Sequence, residues 1–193
     1  MNYELIIEVV ALATGLLSVW FSKKINVLVF PIGIISVLLY VFIFIRNGLF
    51  ANAGINFIYC LISIFGWWNW LKPKANDERL KAKEELKVST LNKKESVIVA
   101  TIFSTFLFLI IVLSPRDLAI RLDYITSALG LIAMFLTSLK KVENWIFYLV
   151  ADIILIPLCI YNELYLTSLQ YIAYTILAIM GYISWSKETK KNV

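Results

Sequence analysis

Asn144-Trp145-Ile146-Phe147-Tyr148-Leu149-Val150-Ala151-Asp152-Ile153-Ile154-Leu155-Ile156-Pro157-Leu158-Cys159-Ile160-Tyr161 carries a single charge, Asp152, near its centre. Crossing about 30 Å of hydrocarbon takes roughly 20 apolar residues, so this run is long enough to span a bilayer as a helix. An ionised carboxylate at that depth costs at least about 2.5–3.5 kcal/mol, so Asp152 must face protein or water. Six more windows of this kind flank it: Tyr3–Phe21, Ile25–Ile45, Leu49–Trp70, Ser96–Leu113, Leu122–Leu139 and Glu163–Trp185. None of the 18 Lys and Arg lies inside a window, and of the 13 acids only Glu8 and Asp152 sit well in from an end. Hydrocarbon imposes that segregation.

Composition agrees. The 193 residues are 61% hydrophobic and 16% charged, with a mean hydropathy of +0.82. Soluble domains hold about 45–50% apolar and 25% charged residues. The chain has no His, which removes imidazole bases, His-ligated metals and His-dependent triads; no enzyme activity, metal or other cofactor is expected. Cys60 and Cys159 fall inside spans and read as small apolar side chains. No span holds the Lys that a retinal Schiff base needs. The start Met1-Asn2-Tyr3-Glu4 lacks a basic leader, so no cleaved signal is expected.

The bases also choose a side. With the N-terminus outside, the cytoplasmic segments hold Lys23, Lys24, eight bases from Lys72 to Lys94, Lys140, Lys141, Lys187, Lys190 and Lys191, 15 in all, against Arg46, Arg116 and Arg121 outside. That asymmetry predicts an outward N-terminus and a cytoplasmic C-terminus. The net charge of +5 is then a topology signal, and nucleic acid is not an expected partner.

Shifting the chain by 115 lays Arg46-Asn47-Gly48-Leu49 on Tyr161-Asn162-Glu163-Leu164, Tyr59 on Tyr174, Gly66 on Gly181 and Trp70-Leu71-Lys72 on Trp185-Ser186-Lys187. A slightly larger shift sets Lys23-Lys24 and Asn26 against Lys140-Lys141 and Asn144. The expected fold is therefore an all-α integral membrane protein of seven helices, two parallel three-helix bundles (1–3 and 5–7) joined by linker helix 4. The corresponding divisions are residues 1–71, 72–121 (loop plus linker helix), 122–186 and a tail, 187–193. The loop Leu71–Glu95, rich in Ala, Leu, Lys and Glu, reads as a helix along the cytoplasmic headgroups. Pro31 with Gly33, and Pro157, read as paired hinges in the middle helices.

In such a plan a small-molecule site lies near the midplane between the halves. Trp145, Tyr148 and Asp152 share one helical face, with Asn144 beside it. Asn52, Asn56, Ser63, Trp67 and Trp70 form a stripe on the third span, with Asn56 and Tyr59 at mid-depth, where the seventh span brings Gln170, Tyr171 and Tyr174. Amides and phenols suit a ligand with hydroxyls and a flat ring; the alternative for any one of them is interhelical glue. All six Trp fall near the cytoplasmic ends, one-sided for an aromatic belt and placed as an inner gate would be.

The runs Gly66-Trp67-Trp68-Asn69-Trp70, Asn144-Trp145-x-x-Tyr148-x-x-x-Asp152, and Tyr171 followed by Gly181-Tyr182-x-x-Trp185 resemble the PnuC-type vitamin transporters over nearly the whole chain. The resemblance implies a SWEET-like fold, facilitated diffusion of nicotinamide riboside across the bacterial inner membrane, trapping by a cytoplasmic kinase, and a homotrimer. It implies a pocket of Trp67, Asn144, Trp145, Tyr148, Asp152 and Tyr171. Asn56 stands where many members have Gln, and Tyr148 where many have a second Trp. Some members have an extra N-terminal helix, which is not expected of this chain. Relatives are associated with thiamine, riboflavin or deoxynucleosides, so another vitamin or nucleoside, with proton coupling, is the rival expectation.

Overall fold

The computed structural model describes residues 3–72 and 86–191. Seven helices follow one another: α1 Tyr3–Lys23, α2 Val29–Arg46, α3 Phe50–Leu71, α4 Lys93–Leu113, α5 Leu118–Ser138, α6 Asn144–Tyr161 and α7 Tyr165–Lys191. All seven are long and apolar enough to cross a membrane. α2 packs between α1 and α3, and α6 between α5 and α7, which makes two three-helix bundles; they meet along an α1–α7 seam and an α3–α5 seam, and α4 packs on α5.

Local chemistry sets the ends. Asn92 caps α4 in a reciprocal capping box with Glu95, which starts the helix at Lys93 and not at Ser96. Asp117 caps α5 by accepting from the Ile120 N–H, which starts the helix at Leu118, four residues before the expected Leu122. α2 begins at Val29, later than Ile25, because Ile25 turns the chain with φ 55° and the Asn26 side chain accepts from the Leu28 N–H.

The duplication is visible in the hydrogen bonds. The turn after α2 closes with Gly48 N–H donating to Ile45 O and Leu49 N–H to Phe44 O; the turn after α6 repeats both, from Glu163 to Ile160 and from Leu164 to Cys159. The turns after α1 and α5 match in the same way, Ile25 to Ser22 and Asn26 to Phe21 against Lys140 to Thr137 and Lys141 to Leu136. These are Schellman turns, which place one residue in the left-handed region. Ile25, Gly48, Lys140 and Glu163 occupy it, and every pair is 115 apart. The larger shift expected around Lys23-Lys24 is therefore not observed; in the turns, Ile25 matches Lys140 and Asn26 matches Lys141.

Two further expectations change. Pro31 is the third residue of α2, in the first turn where a missing N–H costs little, whereas Pro157 lies inside α6. They are not 115 apart and are not a matched pair of hinges. The headgroup helix expected for Leu71–Glu95 falls mostly outside the described residues, but its described part from Leu86 to Asn92 is not helical. Leu86 to Leu91 runs extended as a strap across the α5–α6 turn: Ser89 N–H donates to Lys140 O, Val142 N–H to Ser89 O, and Leu91 N–H to Glu143 Oε1. Lys141 reaches Glu95 at 2.8 Å, and Val88 is buried against Val142.

Candidate functional site

α6 begins at Asn144, so the first side chains of the helix enter the core directly. Asn144 is fully buried; its amide donates to Lys141 O, while Oδ1 has no partner among the described residues. Trp145, 1% exposed, meets Trp185 edge to face at 5.6 Å, and its indole N–H is also without a partner. One turn on, the Tyr148 ring lies 6.3 Å from Trp145 and its hydroxyl 3.4 Å from Met134 Sδ. Asp152 follows on the same face, 6% exposed, with no hydrogen bond or ion pair among the described residues.

The other helices bring hydroxyls to this face. On α7, Gln170 donates to Tyr174 Oη at 3.0 Å, and the Tyr171 and Tyr174 rings are 6.2 Å apart. Tyr59 on α3 is within electrostatic reach of Tyr148, Tyr171 and Asp152, and Tyr171 and Tyr174 are within reach of Asp152. Tyr40 on α2 joins them through Gln170, a residue that the sequence reading passed over. The signal was available: Tyr40 is the only residue with a side-chain polar atom between Ser36 and Arg46.

Two glycines let the bundles close over the centre. The Tyr174 hydroxyl sits 2.6 Å from where a Cβ on Gly15 would be, and the Tyr59 hydroxyl fills the matching notch at Gly130. Both pairs obey the 115 repeat. Each phenol reaches from one bundle into the first helix of the other, so two of the central phenols occupy the interface itself.

Two expected residues are less enclosed than Asn144 and Trp145. Asn56 is half-buried and donates to Asn52 O within its own helix at 3.0 Å. Trp67 is 38% exposed at the edge of α3, and the buried indole of that run is Trp70. Clefts of about 480 Å³ and 240 Å³ lie along α4, the first lined by Val97, Ala100, Thr101, Ser104, Thr105 and Phe108, away from the central residues. Among the described residues, no group of three metal-ligating side chains occurs.

A membrane bundle of two like-oriented repeats, closed around an acid, amides and phenols, has the form of a carrier. The nicotinamide mononucleotide transporter model matches residues 5–187. The chain belongs to this transporter family. Among its relatives, the nicotinamide riboside transporter PnuC of Escherichia coli (strain K12) is 24% identical over 213 residues, covering 96% of this chain and 87% of that protein. The protein of the same name from Neisseria mucosa is 27% identical over 192 residues, covering 95% and 73%. The crystal structure of the vitamin B3 transporter PnuC superposes with a TM-score of 0.78 at 25% identity, covering all of this chain and 85% of the other. The family member described here is thus a multi-pass membrane transporter and not an enzyme, with the two-bundle fold of that solved relative.

Proposed function

We propose that this chain carries nicotinamide riboside across the bacterial plasma membrane by facilitated diffusion. The observation that carries the reading is the Asn144, Trp145 and Asp152 face: three buried polar side chains with an acceptor, a donor and a carboxylate that have no partner among the described residues. Buried polar groups are nearly always satisfied, so such a set favours a ligand that completes it. Nicotinamide riboside offers a cationic ring for Asp152, a carboxamide for Asn144 and ribose hydroxyls for Gln170 and Asn56. Trp145, Tyr148 and Tyr171 supply the stacking surface.

The phenols of Tyr59 and Tyr174 would leave their glycine notches to admit the ligand, and the bundles would rock to expose it to either side by turns. The excess of bases at the α1–α2 and α5–α6 turns and along the α3–α4 loop supports a cytoplasmic location for that end and an outward N-terminus. A cytoplasmic kinase that phosphorylates the riboside would trap it and pull net uptake. None of the residues of α4 is buried within the chain, which suits a helix covered by neighbouring copies in a homotrimer.

Asp152 would serve another cationic vitamin equally well, so thiamine is the rival ligand. Uptake into liposomes of purified protein, with riboside, thiamine, riboflavin and a deoxynucleoside in competition, tests the reading. Saturable riboside uptake that persists when the proton gradient is collapsed is the expected result; preference for a competitor, or loss of uptake with the gradient, would overturn it.

A further inference from the structure

The two bundles are tied at the lysine-rich end by a pair of indoles. Trp70 on α3 donates to Thr137 O on α5 at 3.1 Å, and Trp185 on α7 donates to Ser22 O on α1 at 2.9 Å. Both carbonyls belong to the Schellman turns that end α1 and α5, and each already accepts the turn's own N–H. The rings touch at 6.0 Å, and each is held from behind edge to face, Trp70 by Phe30 and Trp185 by Trp145. Every element of one tie lies 115 residues from its counterpart, so the closure is built twice.

The reinforcement is built once. At the α3–α5 seam Asn69 donates to Ser138 O at 2.9 Å, and Lys140 sits 4.5 Å over the Trp70 ring while donating to Leu86 O of the strap. The α1–α7 seam has Ser184 where Asn69 would be and Ile25 where Lys140 would be, and no strap crosses the α1–α2 turn among the described residues. Beside its indole bond this seam has only a long, exposed contact of Lys23 Nζ with Met180 Sδ at 3.8 Å, and the Ser22 hydroxyl is buried without a partner among the described residues.

The geometry points to an asymmetric inner gate: Trp185 is the moving leaf that opens the α1–α7 seam, and the strapped Trp70 at the α3–α5 seam is the hinge. A rigid-body opening breaks the side with the weaker ties, here one indole hydrogen bond and one exposed, long sulfur contact against an anchored cluster. The inference uses the carrier reading only in requiring that the lysine-rich end open at all.

Ser63 and Ala178 occupy matching positions two turns deeper than Trp70 and Trp185, at 1% and 2% exposure. In the full chain with Cys60 and Cys159 replaced by alanine, Ser63→Cys and Ala178→Cys are labelled one at a time with a membrane-impermeant thiol reagent applied to the lysine-rich side. Ala178→Cys is expected to react faster. Adding Trp185→Phe, which keeps a ring and removes the N–H, should speed it roughly fivefold, the population shift that one buried hydrogen bond supplies. Adding Trp70→Phe should leave the Ser63→Cys rate unchanged. Equal rates for the two cysteines, faster reaction at Ser63→Cys, or no response of Ala178→Cys to Trp185→Phe overturns the inference. The single-cysteine comparison decides even if a Trp variant fails to fold, and because no vitamin is involved, a wrong ligand assignment leaves the outcome untouched.

Discussion

Gly181 is where the candidate site meets the packing that supports it. A Cβ there would stand 2.5 Å from Trp145 Cε2 and Cζ2, and that ring has nowhere to retreat because Trp185 meets it at 5.6 Å. Gly66 is the twin in the first bundle, where a Cβ would lie 2.6 Å from Phe30 Cζ and 2.9 Å from Ser138 Cβ. Gly54, on the exposed side of α3, has nothing within 4 Å. Changing any of the three to alanine gains up to about 1 kcal/mol of helix propensity, so Gly54→Ala isolates that gain. Overpacking a filled site costs about 1–3 kcal/mol. Relative to Gly54→Ala, both Gly181→Ala and Gly66→Ala should therefore melt roughly 2–12 °C lower, at 2–4 °C per kcal/mol for a chain of this size. Melting is followed by the loss of monodisperse protein on size exclusion in detergent. Riboside binding, read from tryptophan fluorescence, separates the twins: Gly181→Ala displaces Trp145 and weakens binding, while Gly66→Ala loses stability with less effect on affinity. Gly181→Ala melting with Gly54→Ala and binding normally would refute the packing argument and the placement of Trp145 in the site.

The repeat makes a second prediction. Glu163 adopts φ 59° where the matching turn has Gly48, so Glu163→Gly relieves left-handed strain and should raise the melting temperature, by an amount equivalent to about 1 kcal/mol. Val88→Asp puts a charge into the inner core under the strap; it should destabilise the protein by more than about 2 kcal/mol and expose the segment from Leu86 to Leu91 to protease. Gly15→Ala sets a Cβ 2.6 Å from the Tyr174 hydroxyl and 3.1 Å from Ser36 Oγ, so the phenol must give way, and the variant should slow riboside exchange in liposomes.

Much of this fold could be read from residue patterns because lipid enforces them. α6 has the same ends in sequence and structure, since Asn144 and Tyr161 bound an apolar run whose one charge is Asp152. Where an end is fixed by a cap or turn, hydropathy misplaces it: Asp117 starts α5 earlier, Ile25 delays α2, and α7 continues past Trp185 to Lys191 because Lys and Glu are good helix formers outside the hydrocarbon. The 115 repeat was legible from Trp, Gly and Tyr matches, but its constancy through the α1–α2 turn lies in backbone hydrogen bonds that Lys23-Lys24 concealed. The strap was illegible, because a charged helix-forming composition does not reveal that Ser89 pairs with Lys140 and Val142. At the site, Asp152 announced itself by its charge. Tyr40 did not, because a phenol in an aromatic run reads as packing, and Trp67 and Trp70 lie close enough on α3 that periodicity alone does not tell which is buried.

The central claim is that Asp152 faces a cationic vitamin between the bundles. Titrating purified protein with nicotinamide riboside, and repeating the titration with Asp152→Asn, tests it most directly. Two opposite charges about 4 Å apart attract by about 4 kcal/mol at an effective dielectric constant of about 20, and Asn removes that charge, so saturable binding by the parent protein and a dissociation constant raised tenfold or more in the variant are predicted. No saturable binding by the parent protein, or equal affinity in the two, would contradict the account.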